Sequence, residues 1–280
     1  MEQDLRRKKL SVIKLKTKNS FTVSRNFFEE MRKKRILTVT GCWVYYFLMS
    51  IIPLVFLLIT AFSIFSVDLS VELIRVIPVE FKSALEAVVK TASDVSNSVT
   101  IFFIITVIIS CSTLLNQMSK DGDYIYGNDT HGRRGVVRRL SAIAFLCVLF
   151  SLFIAFALCF SFRNYLLNWL GFNKPNLITL VSFSIIILFA YGLILLLLRF
   201  ISPKKLNAFA LSFSGLISLA IMVFGTIGLI LYIRFFSNYN AFYGSLAGIV
   251  VFFLWAFVLM FSLSFGSLVC KRLNEKTDNK

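Results

Sequence analysis

Long apolar runs alternate with short polar connections along most of this 280-residue chain. Six of the runs reach or exceed the roughly 20 residues that an α-helix needs to cross a bilayer core. They cover Thr38–Ser66, Val99–Met118, Leu140–Phe162, Leu177–Leu198, Ala208–Phe236 and Phe242–Cys270. Because a backbone in lipid must satisfy its own hydrogen bonds, such runs predict spanning helices. The pattern predicts an all-α, polytopic membrane protein with six transmembrane helices.

The polar connections divide the chain into three parts. Residues 1–37 form a basic N-terminal segment, 38–270 the membrane domain, and 271–280 a C-terminal tail. The longest connection, 67–98, is too polar to span the bilayer, and its apolar pattern on both sides of Pro78 predicts short amphipathic helices on the outer face. The N-terminal segment is either an amphipathic helix on the membrane surface or a solvated basic leader.

Lysine and arginine are concentrated on alternate connections. Segments 1–37, 119–139, 199–207 and 271–280 together hold 24 Lys/Arg and 9 Asp/Glu, whereas the rest of the chain holds 6 and 5. Cytoplasmic segments of membrane proteins are enriched in Lys and Arg, so both termini are predicted to be cytoplasmic. Basic strips beside apolar runs face anionic headgroups. The expected partners are therefore membrane lipids, and no nucleic acid is expected.

Several kinds of chemistry lack the residues that they need. No Asp or Glu lies within the six runs, although carriers coupled to protons or sodium usually place a carboxylate at membrane depth. The chain has no GxxxxGK(S/T) nucleotide-binding motif. It has one histidine, His131, which excludes a multi-His metal centre. We therefore expect no enzyme, no metal and no cofactor.

Polar residues within the runs are candidates for a substrate cavity, because such groups usually face protein or water. Pro53, close to Ser50, predicts a bend in the first helix, which is either an ordinary kink or the opening of a polar cavity. The two arginines at run ends either snorkel to the interface or meet an anionic headgroup from outside. The candidates are Tyr45, Tyr46, Ser50, Pro53, Asn116, Gln117, Arg163, Arg234, Tyr243, Ser245 and Trp255.

Glycines recur in the last two runs. Gly244 and Gly248 form a small-xxx-small pattern, which lets two helices approach closely. The candidate helix-packing residues are Gly215, Gly244, Gly248 and Gly266. Gly244 and Gly248 predict close packing between the fifth and sixth helices.

Two groups of residues resemble signatures of the YihY/BrkB family of bacterial inner-membrane proteins, formerly mislabelled ribonuclease BN. The first run carries Tyr45-Tyr46, Ser50 and Pro53 at the family's YYxxxSxxP spacing. The second group follows the family order through Pro203, Gly215, Tyr232, Phe236, Tyr239, Tyr243-Gly244-Ser245-Leu246-Ala247, Trp255 and Gly266. The resemblance covers roughly residues 20–272. It implies a six-helix protein of the bacterial inner membrane with cytoplasmic termini.

The resemblance also implies a function, which is transport of lipids or other envelope components. In the last helix this chain has Gly266-Ser267-Leu268 where the family commonly has Gly-Ala-Glu, so a mechanism that uses that glutamate is not expected here. A single histidine cannot build a two-metal nuclease site, which argues against a ribonuclease. The alternative is a membrane scaffold or regulatory protein that binds partners through its basic face.

Overall fold

The computed structural model of the chain describes residues 28–64, 97–127, 135–169, 175–203, 205–235 and 246–278. Side chains are described for 28–51, 102, 104–127, 135–153, 155–156, 184–203, 205–235 and 250–277. Most of the N-terminal segment and all of the predicted external segment except 97–98 lie outside these ranges. The predictions made for those parts remain predictions.

Every described element of regular secondary structure is helical, which confirms the all-α class. The long helices are α1 Ile36–Ile64, α2 Asn97–Tyr126, α3 Gly135–Trp169, α4 Pro175–Ile201, α5 Ala208–Phe235 and α6 Leu246–Asp278. One long helix corresponds to each predicted apolar run within the described residues. A short helical segment over 28–33 precedes α1, and a turn at Lys34 and Arg35 separates the two.

Four stretches of these helices are long and apolar enough to cross a membrane within the described residues. They are Gly135–Phe153, Ser184–Ile201, Ala208–Phe235 and Val250–Thr277, and Ile36–Ile51 is a shorter apolar stretch. The helices α2 and α6 continue beyond the ends of their apolar runs, to Tyr126 and Asp278. Helical hydrogen bonding does not stop where hydropathy changes, so a run's end marks a change of surroundings and not the end of a helix.

Contacts between helices fix their relative directions. Along α1 and α2, Trp43 contacts Asp121 and Ser50 contacts Cys111, so these two helices are antiparallel. Three further pairs are antiparallel by contacts of the same kind. The segment 28–33 and α1 run antiparallel to α6 through Glu30–Lys271 and Thr40–Ser264, and α3 runs antiparallel to α4 through Phe145–Phe200 and Phe153–Phe189. The chain from Asn207 through α5 runs antiparallel to α6 through Asn207–Asn274 and Gly225–Val258. The most extensive contacts join α5 to α6 and α1 to α2.

The bundle carries apolar side chains outside and many hydroxyls inside. Ser214, Ser218, Ser262, Ser264 and Ser267 are each at most 1% exposed. Among the described side chains, those of Phe102, Leu188, Phe209 and Phe224 are more than 60% exposed. Lipid covers apolar surface at no cost, whereas small hydroxyl residues let helices approach and hydrogen-bond. This distribution is typical of a membrane protein.

Two of the four predicted packing glycines lie at described close contacts. A Cβ on Gly215 would lie 2.5 Å from Leu195 Cδ2, so the Leu195 side chain on α4 would have to shift to admit it. A Cβ on Gly266 would overlap Ser218 Oγ, so α5 and α6 meet closely at this position. Gly244 lies outside the described residues, and for Gly248 only the helical backbone is described. The packing predicted through Gly244 and Gly248 remains a prediction.

Pro53 lies inside α1, which is helical on both sides of it. The side chains from 52 to 64 are outside the described set, so the predicted bend remains a prediction. The side chain of Ser50, the residue close to Pro53 in that prediction, is described. Its Oγ donates a hydrogen bond to the Phe47 carbonyl over 2.8 Å. The hydroxyl therefore bonds backward into its own helix, one turn before the proline.

Candidate functional site

The four basic segments assigned to one side by their charge meet at one end of the bundle. Glu30 bonds to Lys271 Nζ at 2.7 Å and to Arg272 Nε at 2.6 Å, which ties the segment 28–33 to α6. At the same end, Asp123 pairs with Arg138, Asn274 Oδ1 accepts from the Asn207 backbone, and Lys34 Nζ donates to the Tyr124 carbonyl. These polar links form a layer that closes this end of the bundle.

Glu30 carries two cations in this layer. Burial alone would raise its pKa, but the hydrogen bonds and charges of Lys271 and Arg272 outweigh that effect and lower the pKa below its ordinary value. Glu275 lies 3.8 Å from Lys271 and its side chain is 54% exposed, so it is the weaker partner of that lysine. Glu30 is therefore the carboxylate that links the N-terminal segment to α6.

A second carboxylate lies between α1 and α2. Asp121 Oδ2 accepts from Trp43 Nε1 at 2.6 Å, and Oδ1 accepts from Gln117 Nε2 at 3.0 Å. Burial raises the pKa of Asp121, although the hydrogen bonds from Trp43 and Gln117 and the charge of Lys120 oppose the shift. Asp121 comes after the apolar run of α2 in the sequence. Its carboxylate nevertheless bonds inward, because its donor Trp43 is fully buried.

Deeper in the bundle, hydroxyls join α1 to its neighbours. Thr40 Oγ1 and Ser264 Oγ lie 2.7 Å apart across α1 and α6, and both are buried. Ser50 also lies within hydrogen-bonding reach of the Cys111 thiol on α2. Thr40 Oγ1 is also within hydrogen-bonding distance of the Ile36 carbonyl, and Ser264 Oγ of the Phe261 carbonyl. Since each hydroxyl has one proton, two of these three hydrogen bonds form at a time. Such contacts hold helices together without a charge.

Two buried polar atoms in the apolar part of the bundle lack a hydrogen-bond partner among the described residues. They are Asn116 Oδ1 on α2 and Ser218 Oγ on α5. Buried polar groups in folded proteins are nearly always hydrogen-bonded, so each exception calls for an explanation. Ser218 is fully buried at the close contact with Gly266, where little space remains. Asn116 keeps partial exposure, so a group from outside the chain can reach its surroundings.

The described members of the predicted cavity lie on different sides of their helices. Cys111 and Asp121 mark the side of α2 that meets α1, and Asn116 is five residues from each, about 140° around the helix. Ser50 and Tyr46 contribute to the α1 interface, where Tyr46 packs against the core. Asn116 therefore lies on a different side of α2 from the contact with Ser50, and the predicted cavity remains a prediction.

The remaining candidates have varied positions. Tyr45 is 56% exposed, so the expectation that it faces the interior is not met, and its ring contacts Tyr46 edge-on at 5.3 Å. Trp255 is half-buried on α6 beside Phe252, and Arg234 is exposed in the last turn of α5. For Pro53 and Arg163 the backbone alone is described, and Tyr243 and Ser245 lie outside the described residues.

Sequence reasoning missed the importance of Trp43, Thr40 and Asp121. A signal was present, because Ile36, Thr40 and Trp43 recur at helical spacing and occupy the buried side of α1. No group of three or more His, Cys, Asp or Glu side chains in the described part could hold a metal ion. The described polar side chains at the basic end of the bundle form hydrogen bonds and ion pairs with one another.

The apolar exterior, the buried hydroxyls and the long apolar helices define a helical integral membrane protein. The chain belongs to the BrkB virulence factor family, whose model matches residues 27–280. This confirms the resemblance stated from the YYxxxSxxP residues and from the last two helices. No curated protein and no solved structure shows significant similarity to the chain.

Proposed function

We propose that this protein is a transporter of the bacterial inner membrane that moves an amphipathic or anionic substrate, such as a lipid or another envelope component. The observation that carries the proposal is the buried Asn116 Oδ1, which has no partner among the described residues. An unsatisfied acceptor at membrane depth is costly, and such groups often mark a substrate path. A substrate hydroxyl, amine or amide could donate to this oxygen as it passes.

The proposal includes six spanning helices with both termini in the cytoplasm. Its support is the agreement between charge and packing, because the segments with excess Lys and Arg meet at one end of the bundle. The antiparallel helix pairs are consistent with six alternating spans and support this part of the proposal. The positive-inside rule then assigns the basic end to the cytoplasm.

The proposed transport uses neither ATP nor a carboxylate within the membrane. No acidic residue lies in the six apolar runs, and the described carboxylates on α2 lie beyond Met118. We propose no enzymatic role. The second candidate function is a membrane scaffold, and the close α5–α6 contact at Gly266 and Ser218 favours it because dense packing leaves little room for a path there.

Reconstitution into liposomes tests the proposal. The purified protein is assayed for movement of fluorescent lipids between leaflets and for uptake of a panel of solutes. Asn116→Leu should lower the rate while preserving the fold, since an apolar side chain is well tolerated at membrane depth. Thr113→Val is the matched control on the same helix, because the Thr113 hydroxyl already bonds to the Ile109 carbonyl at 2.7 Å.

Tyr46→Phe provides a second probe, on the α1 side. A combined outcome decides between the two functions. If Asn116→Leu and Tyr46→Phe both retain full activity in a complementation assay, the proposed path is wrong and the scaffold function is favoured. If wild-type protein moves neither lipid nor solute in liposomes, the transport proposal itself fails.

A further inference from the structure

The turn that precedes α1 is held in place by the end of α2. Arg35 has a φ of 47°, a left-handed conformation that non-glycine residues adopt at a cost and keep only when their surroundings impose it. Lys34 Nζ donates to the Tyr124 carbonyl at 2.7 Å and lies 4.9 Å from the centre of the Tyr124 ring. The tyrosine hydroxyl lies 3.5 Å from the Lys33 carbonyl. The turn therefore has a defined position on the bundle.

Exposed cations surround this turn. We define the basic rim as Arg32, Lys33, Arg35 and Lys120, all of which are exposed. Lys120 lies one helical turn before Tyr124 on α2, so both project from the same side. The neighbouring carboxylates bond inward, Glu30 to α6 and Asp121 to Trp43, and Glu29 is the exposed acidic residue nearby. The rim therefore presents excess positive charge to its surroundings.

An exposed apolar strip runs along α1 directly below the rim. Leu37, Gly41, Tyr45 and Met49 are spaced by four residues and follow one side of the helix. The three side chains are each more than half exposed. A Cβ built on Gly41 would meet nothing within 4 Å, so the glycine forms an open notch between Leu37 and Tyr45. The contact with Tyr46 braces Tyr45 at the lower end of this notch.

We propose that the basic rim and this strip together bind one anionic phospholipid, with its headgroup at the rim and an acyl chain in the Gly41 notch. The charges are complementary, because the rim holds four cations and Glu29 is the exposed carboxylate nearby. The lengths also match. Met49 lies twelve residues after Leu37, a rise of about 18 Å, close to the roughly 15 Å hydrocarbon depth of one leaflet.

This site goes beyond the proposed function, since it holds a lipid whether or not the protein transports anything. It depends on the orientation that places the basic end at the membrane surface. Lipid binding is measured on the purified chain and transport on liposomes, so each proposal can fail without the other. If the protein binds the lipid but transports nothing, the lipid-site proposal stands and the transport proposal fails.

Native mass spectrometry of the full-length protein in detergent tests the headgroup part of the site. Dioleoyl phosphatidylglycerol is titrated against dioleoyl phosphatidylcholine, which has the same chains and no net charge. The pair Lys33→Gln/Lys120→Gln should weaken phosphatidylglycerol binding by about 30-fold. The control pair Lys205→Gln/Lys276→Gln removes two exposed lysines elsewhere at the same end and should leave the affinity near that of the wild type.

Filling the notch tests the acyl-chain part independently of charge. Gly41→Leu should weaken phosphatidylglycerol binding by about tenfold, because leucine occupies the space of two or more buried methylenes. Gly228→Leu is the control on α5, where an added Cβ also meets nothing within 4 Å. Three outcomes would each overturn the proposal. They are equal losses of phosphatidylglycerol binding in the two lysine pairs, equal binding of the two lipids by the wild type, and unchanged binding in Gly41→Leu.

Discussion

The indole Nε1 of Trp43 donates a hydrogen bond to the carboxylate of Asp121 over 2.6 Å, joining α1 to α2 across 78 positions of sequence. Trp43 is fully buried and Asp121 has a pKa raised by that burial, so the bond satisfies both groups where water has little access. Gln117 donates to the second carboxylate oxygen. The α1–α2 pair therefore carries a polar lock at the edge of its apolar region.

Replacing Trp43 by phenylalanine should remove this lock. We expect Trp43→Phe to lower the free energy of unfolding by about 1.5–3 kcal/mol, because the buried carboxylate loses a charge-assisted hydrogen bond. The pKa of Asp121 should rise further in this variant. Thermal unfolding in detergent measures the loss. Trp255→Phe is the control, since the described contact of Trp255 is packing against Phe252, and equal losses in both variants would assign the effect to ring volume alone.

The link between Glu30 and α6 should depend on pH. Glu30→Gln should lower the melting temperature at pH 7 and reduce the free energy of unfolding by about 1–2 kcal/mol, because Lys271 and Arg272 lose their shared partner. The pKa of Glu30 is lowered by folding, so its contribution is present above the unfolded value near pH 4.3 and is lost as the pH falls through the folded value. The wild type and the variant should therefore converge only as the pH falls below the folded pKa of Glu30, which itself lies below the unfolded value.

The control for Glu30 is Glu275→Gln on α6. Glu275 is more exposed and lies 3.8 Å from Lys271, so its removal should change stability by at most about 0.5 kcal/mol. Melting curves for both variants and the wild type at pH 7 and at acid pH separate the two carboxylates. A Glu30→Gln deficit that stays constant on acidification would show that the ion pair is not its cause.

The contact between α5 and α6 should not tolerate a methyl group at Gly266. A Cβ there would overlap Ser218 Oγ and lie 3.2 Å from Ser218 Cβ, so Gly266→Ala should cost about 1–3 kcal/mol. Gly228→Ala, in open space on α5, should be neutral or slightly stabilising because alanine favours helix. The double variant Gly266→Ala/Ser218→Gly should recover part of the loss, which double-mutant analysis of melting curves quantifies. Additive losses would argue that the two residues are not in contact.

The proposed topology predicts a labelling pattern in intact cells. In a variant without the five native cysteines, Leu85→Cys should react with a membrane-impermeant reagent and Thr130→Cys should not. After membrane disruption, both positions should react, which controls for accessibility. The reverse pattern would place the basic end outside the cytoplasm and would remove the basis for the orientation.

The sequence by itself determined the all-α class, the positions of the long helices and the family. Long apolar runs have few alternatives to a helix in lipid, so composition along the chain was sufficient. Charge counting also selected the segments that meet at one end, because Lys and Arg gather on one side of a membrane whatever the packing inside it. Neither inference needs knowledge of which side chains touch.

The tertiary structure decided which side of each helix meets which neighbour. From sequence, Ser50 and Asn116 looked like parts of one cavity, but Asn116 lies about 140° around α2 from the residues that contact α1. Tyr45 is exposed although its neighbour Tyr46 packs inward. Helix rotation is set by the fit between side chains far apart in sequence, such as Trp43 with Asp121 and Ser218 with Gly266, and hydropathy alone carries no information about that fit.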